Sequence, residues 1–416
     1  MDQRWITKTL RTLQRCAAIF FHNRCLVGFP WFWPSRPLGN HAMVCARRIV
    51  RQLYGRNHHP IYRALARVLV TIAWPPALLL SLWEIRRSRG PEAVPIKQAP
   101  RALWGAFRHN VVPGEYYAYA LWRPDRAADI DNYLYSKEGT RLFQLLNQPA
   151  NPDPINDKLV FYEICKARSI PTPKVLAVFA PTAKLLELYS GFPPRRHLFV
   201  KPRIGMGGEG SERFRWRAGV FESNRGICLR AEHLVDYLET RSRSENRTLL
   251  LQPALSNHPK LRVDANGALA TARLVTGISL ASDVVPLFAF ICFGHPNQIV
   301  AQGRVAVIDI PSGRLMSAPQ DFPSRKRMNL SAYAGSNPTW ELPDWETLLR
   351  HSKVAHQACS SFVFIGWDAA FTEHGPMLLE GNANWCADVF QSLCKPLGHT
   401  QFASILAERL CDLGFN

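Results

Sequence analysis

Residues 364–382 read FIGWDAAFTEHGPMLLEGN, and the fold follows from how this stretch is understood. Two apolar runs, Phe364–Thr372 and Met377–Asn382, flank Glu373-His374-Gly375-Pro376, which is the pattern of a β-hairpin. Asp368 and Glu380 stand in mirrored positions on the two arms. Asn382 lies two residues past Glu380, so strand alternation puts both on one face. Two carboxylates and an amide oxygen on one patch make a hard-oxygen site suited to Mg²⁺, whose remaining positions go to water and phosphate oxygens. The competing reading is two solvated hairpin carboxylates. Both acids lie beside strongly apolar runs, where an unpaired charge is expensive, and this favours the metal.

The chain ahead of the hairpin alternates helix-like and strand-like segments. Residues 156–168 (NDKLVFYEICKAR) show helical spacing behind an Asn-Asp start, and Pro171 and Pro173 stop them. Residues 174–180 (KVLAVFA) and 197–201 (HLFVK) read as short buried strands. The second leads through Pro202 into Gly205-Met206-Gly207-Gly208-Glu209-Gly210. Four glycines in six residues supply free backbone N–H groups and positive φ, so the loop can fold over a polyphosphate with Lys201 adding a positive charge. It is not a Walker A loop, because no G-K-[ST] follows at the required spacing. In 267–277 (GALATARLVTG), Arg273 sits on an otherwise apolar strand. Such an Arg either points at an anion or lies at a wet sheet edge.

These residues carry a resemblance. Asn156-Asp157-Lys158 opening a helix, Phe199-Val200-Lys201-Pro202 before a glycine-rich loop, Thr271–Thr276, Gly366-Trp367-Asp368 and Leu379-Glu380-Gly381-Asn382 occur in the order seen in ATP-grasp proteins. Over about 110–395 the chain resembles the sugar-transfer-associated ATP-grasp family and is similar to α-L-glutamate-ligase-like proteins. The resemblance implies an α+β fold, with ATP clamped between two α+β subdomains and a basic, largely helical N-terminal region ahead of them. By the same resemblance Lys158 and Lys201 contact ATP phosphates. Gly205, Gly207, Gly208 and Gly210 form the lid, the hinge Leu249–Ala254 with Gln252 meets the adenine, and Arg273 neutralises the transferring phosphoryl group. Asp368, Glu380 and Asn382 hold Mg²⁺. Two departures stand out. Gln252 replaces a frequent Glu, and Ala383-Asn384-Trp385-Cys386 follows Asn382 without the usual Pro-Gly.

The 416 residues carry 51 Lys and Arg against 32 acids, a net charge of +19. An apolar fraction of 47% excludes a wholly disordered chain. Residues 1–110 hold 18 Lys and Arg but only Asp2, Glu84 and Glu92, a balance of +15, which leaves +4 for the rest. No nucleic-acid module accompanies the arginines, so no specific nucleic acid is expected. The run 68–83 (VLVTIAWPPALLLSLW) is short for a span and broken by Pro75-Pro76. Trp74, Trp83 and the flanking Arg suit a membrane surface, and two core helices joined at the prolines explain the run as well. The ten scattered cysteines form no C-x-x-C pair and read as reduced, mostly buried thiols of a cytosolic protein. Residues 88–101 read as a linker.

The expected organisation is a basic helical region at 1–110, a pre-grasp region at 111–180, a subdomain with the glycine loop at 181–255 and one with the metal site at 256–416. The expected activity is that of an ATP- and Mg²⁺-dependent carboxylate–amine ligase acting through an acyl phosphate on small-molecule substrates. Its family name points to cell-surface or sugar-conjugate biosynthesis. The expected place is the cytoplasm, with peripheral contact at the inner membrane face through residues 1–90. A kinase with a hydroxyl acceptor needs the same metal and phosphate residues. A membrane- or nucleic-acid-binding adaptor does not need them. Arg304 and Asp309, in 302–315, are further candidates for orienting the acceptor, and Asp309 fits a hairpin turn equally well.

Overall fold

The computed structural model describes residues 40–53, 76, 78–87, 96–109, 111–147, 153–182, 195–205, 207–261, 268–294, 303–316, 320–321 and 341–415. The chain forms two compact units. One comprises residues 1–144, 324–326 and 386–416, and the other 145–323 and 327–385. The expected boundaries at 110, 180 and 255 therefore do not coincide with the division into units, which returns the C-terminal segment to the N-terminal one.

The described part of the first unit is helical, with α1 (His41–Leu53), α2 (Ala99–His109) and α3 (Pro113–Ala118) near its start. Its core is tyrosine-rich because the 111–135 segment folds onto itself. Tyr119 and Tyr133 stack with centroids 4.9 Å apart, and Tyr116 meets Tyr117 edge-on at 5.5 Å. Arg47 on α1 reaches into this unit. Its guanidinium bonds Asp131 at 2.9 Å, Glu138 at 2.9 Å and the Tyr133 carbonyl at 2.9 Å, and lies 5.3 Å from the Tyr135 ring centre. Burial disfavours the Arg47 cation, but Glu138 and Asp131 outweigh it and hold its pKa above the ordinary value. Among the described residues no helix is long and apolar enough to cross a membrane. Of the run 68–83, positions 68–75 and 77 lie outside the described residues, and 78–87 is helical. Most of the linker expected at 88–101 also lies outside them, and α2 begins within its last residues.

The second unit holds two six-stranded antiparallel sheets. The first has the order β1-β6-β2-β3-β4-β5 and the second β10-β9-β8-β7-β11-β12. The first contains β1 (Ala177–Phe179), β2 (Leu198–Pro202), β3 (Glu212–Arg217), β4 (Val220–Ser223), β5 (Cys228–Arg230) and β6 (Leu249–Pro253). The second contains β7 (Thr271–Ile278), β8 (Val284–Gly294), β9 (Gly303–Ile308), β10 (Gln320–Asp321), β11 (Phe364–Thr372) and β12 (Gly375–Asn382). The hairpin expected at 364–382 is β11–β12, turned at Glu373-His374. Each sheet buries one face against helix and core, which yields the mixed α+β architecture that the resemblance implies.

One helix before the sheets positions the site. Helix α4 (Lys158–Ala167) starts where expected because Asp157 caps it, accepting from the N–H groups of Leu159 and Val160. Arg203 grips the same carboxylate through Nε at 2.8 Å, and the Lys158 N–H donates to the Arg203 carbonyl at 3.1 Å. The helix start is thus tied to the end of β2, where the glycine loop begins. Behind the second sheet, Trp367 is fully buried and stacks on Phe161 of α4 at 6.0 Å. Its indole N–H donates to the Thr276 hydroxyl at 2.8 Å. The Thr276 hydroxyl lies 2.6 Å from Nδ1 of His356 and donates to it in the neutral ring, because the Phe362 carbonyl can only accept and so fixes the ring proton on Nε2. His356 is left donating from Nε2 to the Phe362 carbonyl at 2.8 Å. The chain satisfies three buried polar groups and holds β11 in one register.

The eight described cysteines are free thiols, three buried, two intermediate and three exposed, so the expectation of mostly buried thiols is not met.

Candidate active site

The site is built by register. In the second sheet Glu380 pairs with Asp368, Asp368 with Arg273, and Arg273 with Phe290. Directly opposite residues of an antiparallel pair share a face with Cβ atoms about 5 Å apart, so these four side chains form one rung. Asn382 follows on the same face and pairs with Gly366. The motif Gly366-Trp367-Asp368 is explained by alternation. Trp367 enters the core, while Gly366 and Asp368 face the site. A Cβ on Gly366 would come within 2.8 Å of Trp385 Cβ and 3.3 Å of Arg273 Cδ, so glycine leaves room for the arginine stem. Gly381 does the same on the opposite face, where a Cβ would lie 2.9 Å from Ile155 and 3.0 Å from Trp367.

The charges are held in pairs. Arg273 makes a two-pronged ion pair with Asp368, with Nη2 at 2.9 Å from Oδ2. The Asn382 amide N–H donates to the same Oδ2 at 3.2 Å. Lys158 Nζ lies 3.4 Å from Glu380 and donates to the Gly205 carbonyl at 2.6 Å. Lys201 Nζ donates to the Leu379 carbonyl at 3.3 Å. Burial pushes the Lys201 ammonium down to about 8. Glu380 and Asp368 oppose the shift, and Lys158 adds to it. Burial raises the Asp368 carboxyl above its usual range, Glu380 reinforces this, and Arg273 works against it. Burial also disfavours the Arg273 cation, yet Asp368 outweighs it and keeps it above its ordinary value.

The glycine loop joins the cavity from the first sheet. Gly205, Gly207, Gly208 and Gly210 all have positive φ, between 65° and 148°. Its outgoing end is anchored by Arg241, whose guanidinium takes the Gly210 carbonyl, bonds Glu212 at 2.8 Å and reaches Glu245 at 2.8 Å. Glu212 is wholly buried and also accepts from Tyr237 at 3.1 Å and from Ser223. Gln252 faces the cavity from β6. Its amide N–H donates to the Pro173 carbonyl at 3.0 Å, a bond that a Glu could not make, so the departure at this position has a local cause.

Lys158, Lys201, Gly205, Gly207, Gly208, Gln252, Arg273, Asp368, Glu380 and Asn382 all line one cavity of about 360 Å³. Gly210 lies just outside it. The cavity also takes in Phe199, Arg213, Leu269, Thr271, Phe290, Cys292 and Leu379, to which the sequence assigned no role in the site. Alternation from Lys201 leads to Phe199, and from Arg273 to Thr271. Arg213 sits opposite Phe199, and Cys292 opposite Thr271, by cross-strand pairing between consecutive strands. Burial pushes the Cys292 thiol up to about 12, so it is neutral at ordinary pH. The two acceptor candidates fall elsewhere. Arg304 pairs with Phe293, on the core face, and its guanidinium lies 6.0 Å from that ring centre. The Asp309 carboxylate closes a turn, accepting from the Ser312 N–H at 3.2 Å and from its hydroxyl at 2.5 Å.

The donor set of Asp368, Glu380 and Asn382 is hard oxygen throughout, with no thiolate or imidazole, and it fits Mg²⁺. Among the described residues no group of three or more His, Cys, Asp and Glu is placed to hold a metal ion, and the third donor of this set is an amide, Asn382. A half-turn of that amide would put its oxygen where its nitrogen now meets Asp368.

No curated protein is significantly similar to the chain. Solved structures similar to it include D-alanyl-alanine synthetase A from Vibrio cholerae, with 11% identity, a TM-score of 0.38, and coverage of 63% of this chain and 66% of that one. D-alanine–D-alanine ligase from Bacillus anthracis complexed with ATP gives 14%, 0.34, 62% and 64%. L-amino acid ligase from Bacillus licheniformis gives 12%, 0.36, 70% and 60%. The chain covers less than two thirds of each of these three proteins. The sequence model of the sugar-transfer associated ATP-grasp family matches residues 137–396, which contain both sheets, the glycine loop and the whole charged rung. The chain belongs to the sugar-transfer associated ATP-grasp family.

Proposed function

We propose that the protein is an ATP- and Mg²⁺-dependent carboxylate–amine ligase that works through an acyl phosphate. The observation that carries this reading is the rung Glu380–Asp368–Arg273, faced by Lys201, Lys158 and the glycine loop around one cavity. A carboxylate is a poor acyl donor because its leaving group would be oxide. Its oxygen attacks the γ-phosphorus, the bond from that phosphorus to ADP breaks, and ADP leaves. An amine then adds to the acyl carbon, phosphate leaves with its electron pair, and the amine loses a proton.

The residues needed for such transfer hold anions and screen their repulsion, and no side-chain nucleophile is required. Lys158 and Lys201 would take phosphate oxygens after releasing the Gly205 and Leu379 carbonyls. Arg273 would turn from Asp368 toward the carboxylate and the moving phosphoryl group. The glycine loop, pinned through Gly210 to Arg241, would exclude water above them. Magnesium, held by Asp368, Glu380 and Asn382, would supply charge neutralisation on the phosphates.

Peripheral contact with an anionic membrane surface belongs to the same proposal. It is supported by the exposed Leu79 and Trp83 on the helix 78–87 and by Arg87, 5.3 Å from the Trp83 ring centre. The test of the chemistry is ADP release against panels of carboxylates, amines and polyols. Release that requires both a carboxylate and an amine is the expected result. Release with a polyol alone would make the protein a kinase.

A further inference from the structure

Polarity changes abruptly along the site face of the second sheet. The rung Glu380–Asp368–Arg273 is charged, and its next member is Phe290. One step along the same face Thr271 stands opposite Cys292, and Leu269 precedes them. Beyond Arg273, away from the acids, the second sheet's part of the cavity wall is therefore Phe290, Cys292, Thr271 and Leu269. That stretch offers one hydroxyl and no charge.

The step in the other direction is closed. Gly366 and Val275 pair there, and Phe288 follows Val275. Trp385 covers this row, meeting Phe288 edge-on at 5.4 Å and Phe364 at 6.4 Å. Trp385 comes from the Ala-Asn-Trp-Cys segment that replaces the Pro-Gly of the resemblance. Arg273 is thus the last charged group of its rung, with an indole on one flank and an open apolar wall on the other.

A carboxylate paired with Arg273 has to lay its body along that open wall. Each buried hydroxyl of a sugar acid would need a partner there, and a hydroxyl left unpaired weakens binding. An α-ammonium beside Arg273 would meet a like charge, and the second sheet offers it no acid on that side. An apolar body gains binding free energy in proportion to the area it buries. We propose that the acid activated at this site is an apolar-bodied carboxylate, aliphatic or aryl, rather than a sugar acid or amino acid, with Phe290 and Cys292 setting that choice. The inference rests on the ligase reading and names the substrate class of its first half-reaction.

The test uses the full chain with Mg-ATP. Calorimetry first measures nucleotide binding. ADP release is then followed with hexanoate or phenylacetate, and with gluconate, galacturonate or alanine, hydroxylamine being the common amine. Hydroxylamine displaces phosphate from an acyl phosphate and leaves a hydroxamate, which is counted against ADP. The expected result is a kcat/KM at least about tenfold higher for the apolar acids. In Cys292→Asp the KM for hexanoate should rise about tenfold while Mg-ATP binding persists, and the apolar Cys292→Ala should keep the preference. A sugar acid or amino acid used equally well or better overturns the inference. So does a protein that binds Mg-ATP and responds to no acid, or an unchanged KM in Cys292→Asp. Failure to bind Mg-ATP overturns the nucleotide reading itself and removes this inference with it.

Discussion

Lys201 is the cation whose charge is least secure, since burial brings its pKa to about 8. Phosphate binding needs the ammonium form, so affinity for Mg-ATP should fall as pH rises through about 8, with proton uptake on binding above that value. Calorimetry in buffers of different ionisation enthalpy reads both effects, and Lys201→Arg should flatten the profile. The stability sign is the reverse of that for a lysine with a raised pKa. The folded value lies below the unfolded 10.5, so the cost of holding the charge is constant below about 8 and is relieved as pH climbs toward 10.5. Asp368→Asn and Glu380→Gln should each lower ADP release by about 10²–10³ or more, the scale of losing one preorganised electrostatic group. Thermal melting should stay close to wild type, because the cavity admits water to the partner left behind. Turnover at the wild-type rate in either variant would refute the assignment of the metal. These acids were legible in the sequence because charge beside apolar strands is rare. Arg213 and Cys292 were not, because nothing local marks a residue that reaches the cavity only through its partner strand.

At the scale of elements, β3, α5 (Leu234–Glu245) and the glycine loop act together through Glu212 and Arg241. Removing one member of a buried ion pair costs about 3–5 kcal/mol, more than replacing both with apolar groups. Glu212→Gln should therefore lower stability by that order in denaturant titration. It should also raise the KM for ATP more than it lowers kcat, because the loop's outgoing end loses the charge that orients Arg241. A melting temperature and KM equal to wild type would show the clamp to be incidental. The hairpin β11–β12, the helix behind Asp157 and the strand before the glycine loop were all readable from period and punctuation. Strand order was not, since β7 pairs with β11 across more than eighty intervening residues, and β1 with β6 across more than sixty. Arg304 shows the cost of this. Its charge drew attention, but alternation counted across β8 and β9 places it on the far face from Arg273.

At the scale of the molecule, the +15 of residues 1–110 is not one appendage. Arg47 is buried among Asp131, Glu138 and Tyr135, and the Asn40 N–H donates to Asn132 at 2.6 Å. A cut at residue 90 would leave those acids without their cation and should unfold the first unit. Removing residues 1–39 keeps Arg47 and tests the membrane proposal cleanly. The trimmed chain with Trp83→Ala should no longer float with phosphatidylserine vesicles. Flotation equal to the full chain would end the proposal. A last consequence follows from the paired charges of the cavity. Without ligands, Lys158 is spoken for by Glu380 and Arg273 by Asp368. Nucleotide alone would confront two carboxylates, and the metal alone two cations, but together they let every partner exchange at once. Metal and nucleotide should therefore bind with positive heterotropic coupling of about 1–3 kcal/mol, equal in both directions. Nucleotide titrations at rising magnesium, and magnesium titrations at rising nucleotide, should return the same factor.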